Sequence, residues 1–157
     1  MDTRNGAVGS ALNNPTFVAY AIISLVLVAN LLFLWVYSGA VRARTKTAVN
    51  PEDAALIAGA AVNGFDAPEV ARVLRAHANA QALIYPFLVL GLLYVLEGGD
   101  ARTGGVIFGA FALARWAHSA FYLAGRQPWR TIAFALSGVA ILILFGLDVW
   151  LTGRGPG

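Results

Sequence analysis

The residues that could do chemistry in this chain fall in two helical stretches that lead into, or lie within, apolar spans. Arg72, Arg75 and Asn79 are spaced i, i+3, i+7, so they share one face of a helix. Arg115, His118 and Tyr122 repeat that spacing further along. An arginine in the hydrocarbon of a membrane costs roughly 2.5–3.5 kcal/mol on insertion scales, so such groups tend to line a site or lie at a membrane boundary. The two stretches together predict a site for an anionic ligand.

The composition indicates an integral membrane protein. The chain has 157 residues, of which 59% are hydrophobic and only 12% charged. A soluble domain would carry about twice that charged fraction. The absence of cysteine excludes disulfides, thiolate metal sites and a cysteine nucleophile. With only two histidines, far apart in the chain, and no basic stretch interleaved with aromatics, the sequence predicts neither a metal site nor nucleic-acid binding.

Four apolar stretches organise the chain as a single all-α domain over residues 1–157. We predict membrane-spanning helices at about residues 16–42, 67–97, 103–124 and 128–151. The run over residues 17–37 alone can cross a hydrocarbon core of roughly 30 Å. The dipeptide Asn50-Pro51, followed by two acidic residues, also predicts a helix start within the first connection. The expected fold is therefore a four-helix membrane bundle.

Basic residues predict how the bundle is oriented. They cluster around the first and third connections, at Arg42, Arg44, Lys46, Arg72, Arg75, Arg126 and Arg130. The positive-inside rule then places both connections in the cytoplasm and both termini outside. We expect a multi-pass protein of a bacterial cytoplasmic (inner) membrane. For Arg42, Arg44, Lys46 and Arg126, topology and contact with lipid phosphates explain the charge without any ligand.

All four predicted helices bring a cationic or hydrogen-bonding group to one membrane level. Arg42 closes the first helix there, Arg130 opens the fourth, and Arg115 lies inside the third. A span interior does not need Arg115 or His118 for topology, which favours a ligand site or an inter-helix polar network. An anion bound at this level would meet several arginines and a helix N-terminus.

Several motifs resemble those of one family. They are Asn50-Pro51-Glu52-Asp53, then Arg75-Ala-His77-Ala-Asn79, then Arg115-Trp-Ala-His118 followed by Tyr122. In this order the chain resembles the MAPEG superfamily, the membrane-associated proteins in eicosanoid and glutathione metabolism. It is most similar to the branch of microsomal glutathione transferase 1 and microsomal prostaglandin E synthase 1. The resemblance covers residues 38–131.

The resemblance implies a homotrimer of four-helix subunits that holds glutathione between neighbouring subunits near the cytoplasmic face. Arg130 would stabilise the glutathione thiolate, Thr131 would keep a hydroxyl that the family uses, and Asp53 would support the reaction or transfer a proton. A lipophilic electrophile would enter from the lipid. The residues that would bind glutathione are Arg42, Arg75, Asn79, Arg115, His118 and Tyr122.

Three positions depart from the family pattern and leave two functions open. Ala78 and Ala82 stand where that branch has an arginine and a glutamate, and Phe134 stands where it has a tyrosine. The retained residues favour a membrane glutathione transferase or peroxidase acting on lipophilic electrophiles. The three departures favour a non-catalytic protein of the same fold, a structural or accessory subunit of a larger membrane complex.

Overall fold

The computed structural model describes residues 13–154, which form four long helices and a short folded connection. In chain order the elements are α1 (Pro15–Thr45), β1 (Thr47–Ala48), α2 (Pro51–Leu56), β2 (Ala61–Val62), α3 (Pro68–Leu96), α4 (Ala101–Leu123) and α5 (Trp129–Arg154). The helices α1, α3, α4 and α5 are each long and apolar enough to cross a membrane. The predicted bundle of four membrane-spanning helices is therefore confirmed.

Local signals in the sequence fix both ends of α1. The Asn14 side chain accepts hydrogen bonds from the backbone amides of Thr16, at 2.9 Å, and Phe17, at 3.2 Å. Pro15 occupies the first helical position, where its missing amide hydrogen is not needed. The helix ends at Thr45, and the capping residue after it, Lys46, has a left-handed φ of 49°. Arg42 and Arg44 lie in the last turn, where positive charge complements the helix dipole.

The connection between α1 and α3 contains structure that the sequence did not predict. Strands β1 and β2 pair in parallel, with Thr47 opposite Ala61 and Ala48 opposite Val62. The predicted helix start at Asn50-Pro51 is present as α2, but the Asn50 side chain does not cap it. Strands of two residues are too short to show a hydrophobic periodicity in the sequence, so only the structure reveals them.

The carboxylate of Asp100 caps the start of helix α4. The Asp100 side chain accepts a hydrogen bond from the Thr103 amide at 2.8 Å. That bond and a second from the Thr103 hydroxyl favour the charged carboxylate, so the pKa of Asp100 lies below its usual range. Just before the cap, Gly99 lies so close against the Tyr94 ring that any side chain at this position would collide with it. The tight turn between α3 and α4 therefore requires glycine at Gly99.

The main apolar core lies in one half of the bundle, and a cluster of buried polar residues lies in the other. Phe87 of α3 and Phe111 of α4 stack with ring centroids 4.0 Å apart. Leu27, Ile84 and Phe108 are fully buried around them. Towards the turn between α4 and α5, buried polar residues replace these apolar ones, beginning with Arg115. The core thus holds α3, α4 and α5 in the arrangement that positions the candidate site.

Candidate active site

Arg115 joins three helices through its guanidinium group. On one side, its Nη1 donates to the Ser137 hydroxyl of α5 at 3.3 Å. On the other side, its Nη2 donates to the Asn79 side-chain oxygen of α3 at 3.1 Å. The side chain is 0% exposed. Within residues 13–154, Arg115 makes no ion pair and its Nε has no partner. Neutral acceptors from two neighbouring helices therefore hold this buried cation.

The same guanidinium determines which nitrogen of His118 carries a proton. Arg115 Nη2 lies 3.3 Å from His118 Nδ1. A guanidinium group can only donate hydrogen bonds, so Nδ1 must be the accepting, unprotonated nitrogen. We assign the proton to Nε2 on this basis. His118 can then act as a donor through Nε2, on the side of the ring away from Arg115.

Aromatic contacts continue this cluster to the surface of the bundle. The His118 ring lies against Tyr122 and Phe134, with centroid distances of 5.5 and 6.0 Å. The Arg130 guanidinium carbon lies 4.7 Å from the centroid of the Tyr122 ring, in the geometry of a cation–π contact. Both Tyr122 and Arg130 are half-buried. A half-buried positive charge thus ends a chain of contacts that starts in the fully buried interior.

Gln127 fixes the start of α5 beside Arg130. One atom of its side-chain amide lies 3.0 Å from the Thr131 hydroxyl. With the amide oxygen turned towards Arg130, it accepts from Nε at 3.1 Å and from Nη2 at 2.6 Å, while the amide nitrogen donates to Thr131. This orientation satisfies every partner of the amide. Arg130 is therefore held from one side by Gln127 and from the other by Tyr122.

The structure brings six of the nine predicted site residues into one cluster. These are Asn79, Arg115, His118, Tyr122, Arg130 and Thr131. The sequence left Arg115 open between a ligand site and an inter-helix polar network, and the resemblance implied a glutathione contact. In the structure its side chain has no exposed surface and forms an inter-helix network, in which it orients the polar atoms of Asn79 and His118.

The other three predicted site residues lie outside this cluster. Arg42 forms an ion pair with Asp66, with Nη2 and Oδ1 3.0 Å apart. Asp53 is exposed and accepts a hydrogen bond from Asn50 at 3.3 Å. Arg75 is exposed, and in the part of the chain that the structure describes no hydrogen bond or ion pair links it to the cluster. The chain by itself therefore assembles only part of the predicted site.

Three further residues that shape this region are not among those predicted from the sequence. Ser137 supports Arg115, and because it follows Arg130 at i+7 on the same helix, that spacing could have revealed it. Gln127 lies in the turn between α4 and α5, and its side chain reaches Arg130. Asp66 lies just before α3, and no local pattern in the sequence connects it with Arg42. Pairing across a folded connection is visible only in the tertiary structure.

The three positions that depart from the family pattern lie at the surface of the site. Ala78 and Ala82 are exposed on α3, on either side of Asn79. Phe134 is 43% exposed and contacts the His118 ring. The rim beside Asn79 is therefore apolar, while the interior of the cluster is polar.

Residues 20–150 match the MAPEG family. The chain is 36% identical to the prostaglandin E synthase of Macaca fascicularis over 145 residues, which cover 92% of this chain and 95% of the relative. It is 35% identical to the human prostaglandin E synthase over 144 residues, 91% and 94% of the two chains. The microsomal glutathione S-transferase 1 of Sus scrofa is 33% identical over 145 residues, 87% and 91% of the two chains. With four membrane-spanning helices and a match over most of its length, the chain belongs to the MAPEG family.

Proposed function

We propose that this protein is a membrane-bound, glutathione-dependent transferase or peroxidase that acts on lipophilic electrophiles. The observation that carries the proposal is the contact chain from Asn79 through Arg115, His118 and Tyr122 to Arg130. It presents a cation, an amide and an imidazole in fixed orientations at one level of the bundle. The similarity to relatives named glutathione S-transferase supports glutathione as the thiol.

The residues of this cluster suit an anionic, peptide-like ligand. Asn79 Oδ1 accepts from Arg115, so its Nδ2 is the group left to donate to a ligand carboxylate or carbonyl. His118 offers Nε2–H in the same way. Glutathione would supply a thiolate, the nucleophilic form of its thiol. The cluster therefore contains donors for the peptide part of glutathione and a positive charge for its sulfur.

Arg130 would stabilise the negative charge of that sulfur. Its guanidinium is half-buried between Tyr122 and Gln127, so it needs little reorganisation to meet an anion. The Thr131 hydroxyl follows directly in the first turn of α5. An apolar electrophile could reach this point laterally from the surrounding lipid, because Phe134 and Ala82 leave an apolar rim.

We further propose that the active assembly is a homotrimer. Arg42, Arg75 and Asp53 lie outside the cluster of their own subunit, and exposed Arg75 is available to a neighbouring subunit. A subunit interface would bring such residues to the cluster of the next copy. The mass of the detergent-purified protein, measured by light scattering, should equal three subunits. A monodisperse monomer with full activity would contradict this part of the proposal.

The catalytic proposal is tested by substituting the half-buried cation, Arg130. Arg130→Gln should lower the rate of glutathione conjugation to a chromogenic aryl halide by about 100- to 1,000-fold, the usual effect of losing one preorganised charge-stabilising donor. Arg102→Gln is the matched control, because Arg102 is an exposed arginine at the opposite end of α4. The proposal fails if Arg130→Gln is as active as the control.

A second candidate function is a non-catalytic subunit of a larger membrane complex. The apolar rim at Ala78 and Ala82 favours it, because the related branch carries an arginine and a glutamate at these positions. Under this alternative the purified parent protein would neither bind glutathione in titration calorimetry nor conjugate any electrophile. Tight co-purification with a different membrane protein from its native membrane would then support the accessory role.

A further inference from the structure

A groove runs along the outer surface of the bundle between α4 and α5, away from the candidate active site. Its volume is about 600 Å³, and every residue that lines it is apolar. Ala110, Ala114 and Ala117 are spaced i, i+4, i+7 and make one wall of α4 shallow. Leu113 and Leu136 rise beside it and are 74% and 59% exposed. These residues form a long hollow that faces the hydrocarbon of the membrane.

A cavity with a positive charge adjoins the groove at one end of the bundle. That cavity, of about 500 Å³, is lined by Ala120, Phe121, Ala124, Arg126 and Trp129. Phe121 and Trp129 line both spaces, so the cavity adjoins the groove at the start of α5. Arg126 is exposed and makes no ion pair with any residue between 13 and 154. The combined space is apolar along its length and cationic at its end.

Its dimensions fit an extended acyl chain. Trp129 and Ile143 lie about 21 Å apart along α5, at about 1.5 Å per residue, and one leaflet contributes about 15 Å of hydrocarbon. The groove is thus long enough for one chain extended through its leaflet, and its wholly apolar lining offers no hydrogen-bonding group to a polar occupant.

We propose that this groove binds one acyl chain of an anionic phospholipid from the surrounding leaflet, with the headgroup phosphate at Arg126. Arginine pairs with phosphate through two parallel hydrogen bonds, and basic pockets beside membrane helices bind anionic headgroups. Trp129, 56% exposed at the start of α5, lies where an aromatic side chain meets the headgroup region. The site shares no residue with the candidate active site, so it stands independently of the proposed function.

The other charged cavity at this end of the bundle lacks this combination. It has a volume of about 270 Å³ and lies between α1, α3 and the end of α4. Arg44 and Arg72 line it together with Glu69, so part of its positive charge has a partner nearby. No long apolar groove is shared with it among the described residues. An anionic headgroup with an attached chain therefore favours the cavity at Arg126.

The test compares which lipids stay with the protein. The full-length protein is reconstituted in equal amounts of phosphatidylglycerol and phosphatidylcholine with identical acyl chains. It is then extracted in mild detergent, and the retained lipids are counted by mass spectrometry. We expect phosphatidylglycerol to be enriched about fivefold, as one basic residue produces beside an anionic lipid. Arg126→Gln should remove this enrichment, whereas Arg102→Gln should leave it unchanged.

A second pair of variants tests the groove itself. Ala110→Leu/Ala117→Leu fills the hollow, so the protein should retain almost no phosphatidylglycerol or phosphatidylcholine after extraction in detergent. Ala29→Leu, an equally bulky change at an exposed alanine of α1, should not. The proposal is overturned if the unmodified protein retains both lipids equally, if the filled groove retains lipid normally, or if a structure of the assembly shows another chain's helix in the groove.

Discussion

Replacing Arg115 with methionine should separate the positioning of the site from the stability of the bundle. The substitution removes three hydrogen-bonding contacts, to Ser137, Asn79 and His118. Hydrogen bonds between membrane helices average about 0.6 kcal/mol, so the two that reach α3 and α5 contribute about 1.2 kcal/mol, and a similar value for the contact within α4 brings the total to about 2 kcal/mol. Removing an arginine from an apolar interior recovers roughly 2.5–3.5 kcal/mol. The two effects nearly cancel, and we expect a change in the thermal midpoint of less than about 8 °C.

Activity should respond much more strongly than stability. Without Arg115, Asn79 Oδ1 and His118 Nδ1 lose the donor that fixes their orientation. A displacement of about 1 Å in a positioned group can reduce a rate about 100-fold. Because Asn79 would face the peptide part of glutathione and not the reacting sulfur, the KM for glutathione should rise more than kcat falls. Arg115→Lys, which can still reach one acceptor, should recover part of the loss.

The assay measures initial rates of conjugation over a range of glutathione concentrations, together with the thermal midpoint of each variant. Ser119→Ala is the control, because Ser119 is a buried polar residue of the same helix that bonds to Asn30 at 3.1 Å and does not contact the site. It should shift the midpoint slightly and leave KM and kcat unchanged. Unaltered kinetics in Arg115→Met would refute the positioning role. Loss of assembly in Arg115→Met would refute the cancellation of the two energy terms.

Three further predictions concern the rim, the topology and the opposite end of the bundle. Ala82 lies one helical turn beyond Asn79, so Ala82→Glu should add a charged acceptor and tighten glutathione binding about tenfold or more in titration calorimetry. The double variant Ala78→Arg/Ala82→Glu should tighten it further. Unchanged affinity in both variants would show that the rim does not face the ligand. The protein has no native cysteine, so single cysteines can be introduced at exposed Glu52 and Arg102. They should be labelled from opposite sides of sealed vesicles. Labelling of both from the same side would contradict the predicted topology. Asp148 is buried, neither of its carboxylate oxygens has a partner within residues 13–154, and Glu97 lies near enough to repel it. Asp148→Asn should therefore raise the thermal midpoint by roughly 2–4 °C. A lower midpoint would indicate that the carboxylate has a partner elsewhere in the assembly.

The class of the protein and its four spans follow from the amino-acid sequence alone. Membrane helices satisfy their own backbone groups and are recognised by continuous apolar runs, which are a local property. The start of α2 was readable as well, because Asn50-Pro51 and the two acidic residues after it are a local signal. Family membership was also readable, because its motifs lie within single helices at fixed spacings.

Part of the candidate site was readable for the same reason. The i, i+3, i+7 spacing alone places Arg115, His118 and Tyr122 on one face of α4. Spacing along a helix, however, does not say which neighbouring helix that face meets. Whether Arg115 contacts a ligand, a lipid phosphate or other helices is therefore open at the level of sequence.

Only the tertiary structure decided these pairings. It enclosed Arg115 between Asn79 and Ser137, whose acceptors come from helices α3 and α5, and it paired Arg42 with Asp66 across the first connection. It also formed the β1–β2 pair and the groove beside α4. The physical reason is common to all of them. Contacts between elements depend on how each helix is rotated and packed against its neighbours, and the packing of the whole bundle sets those rotations.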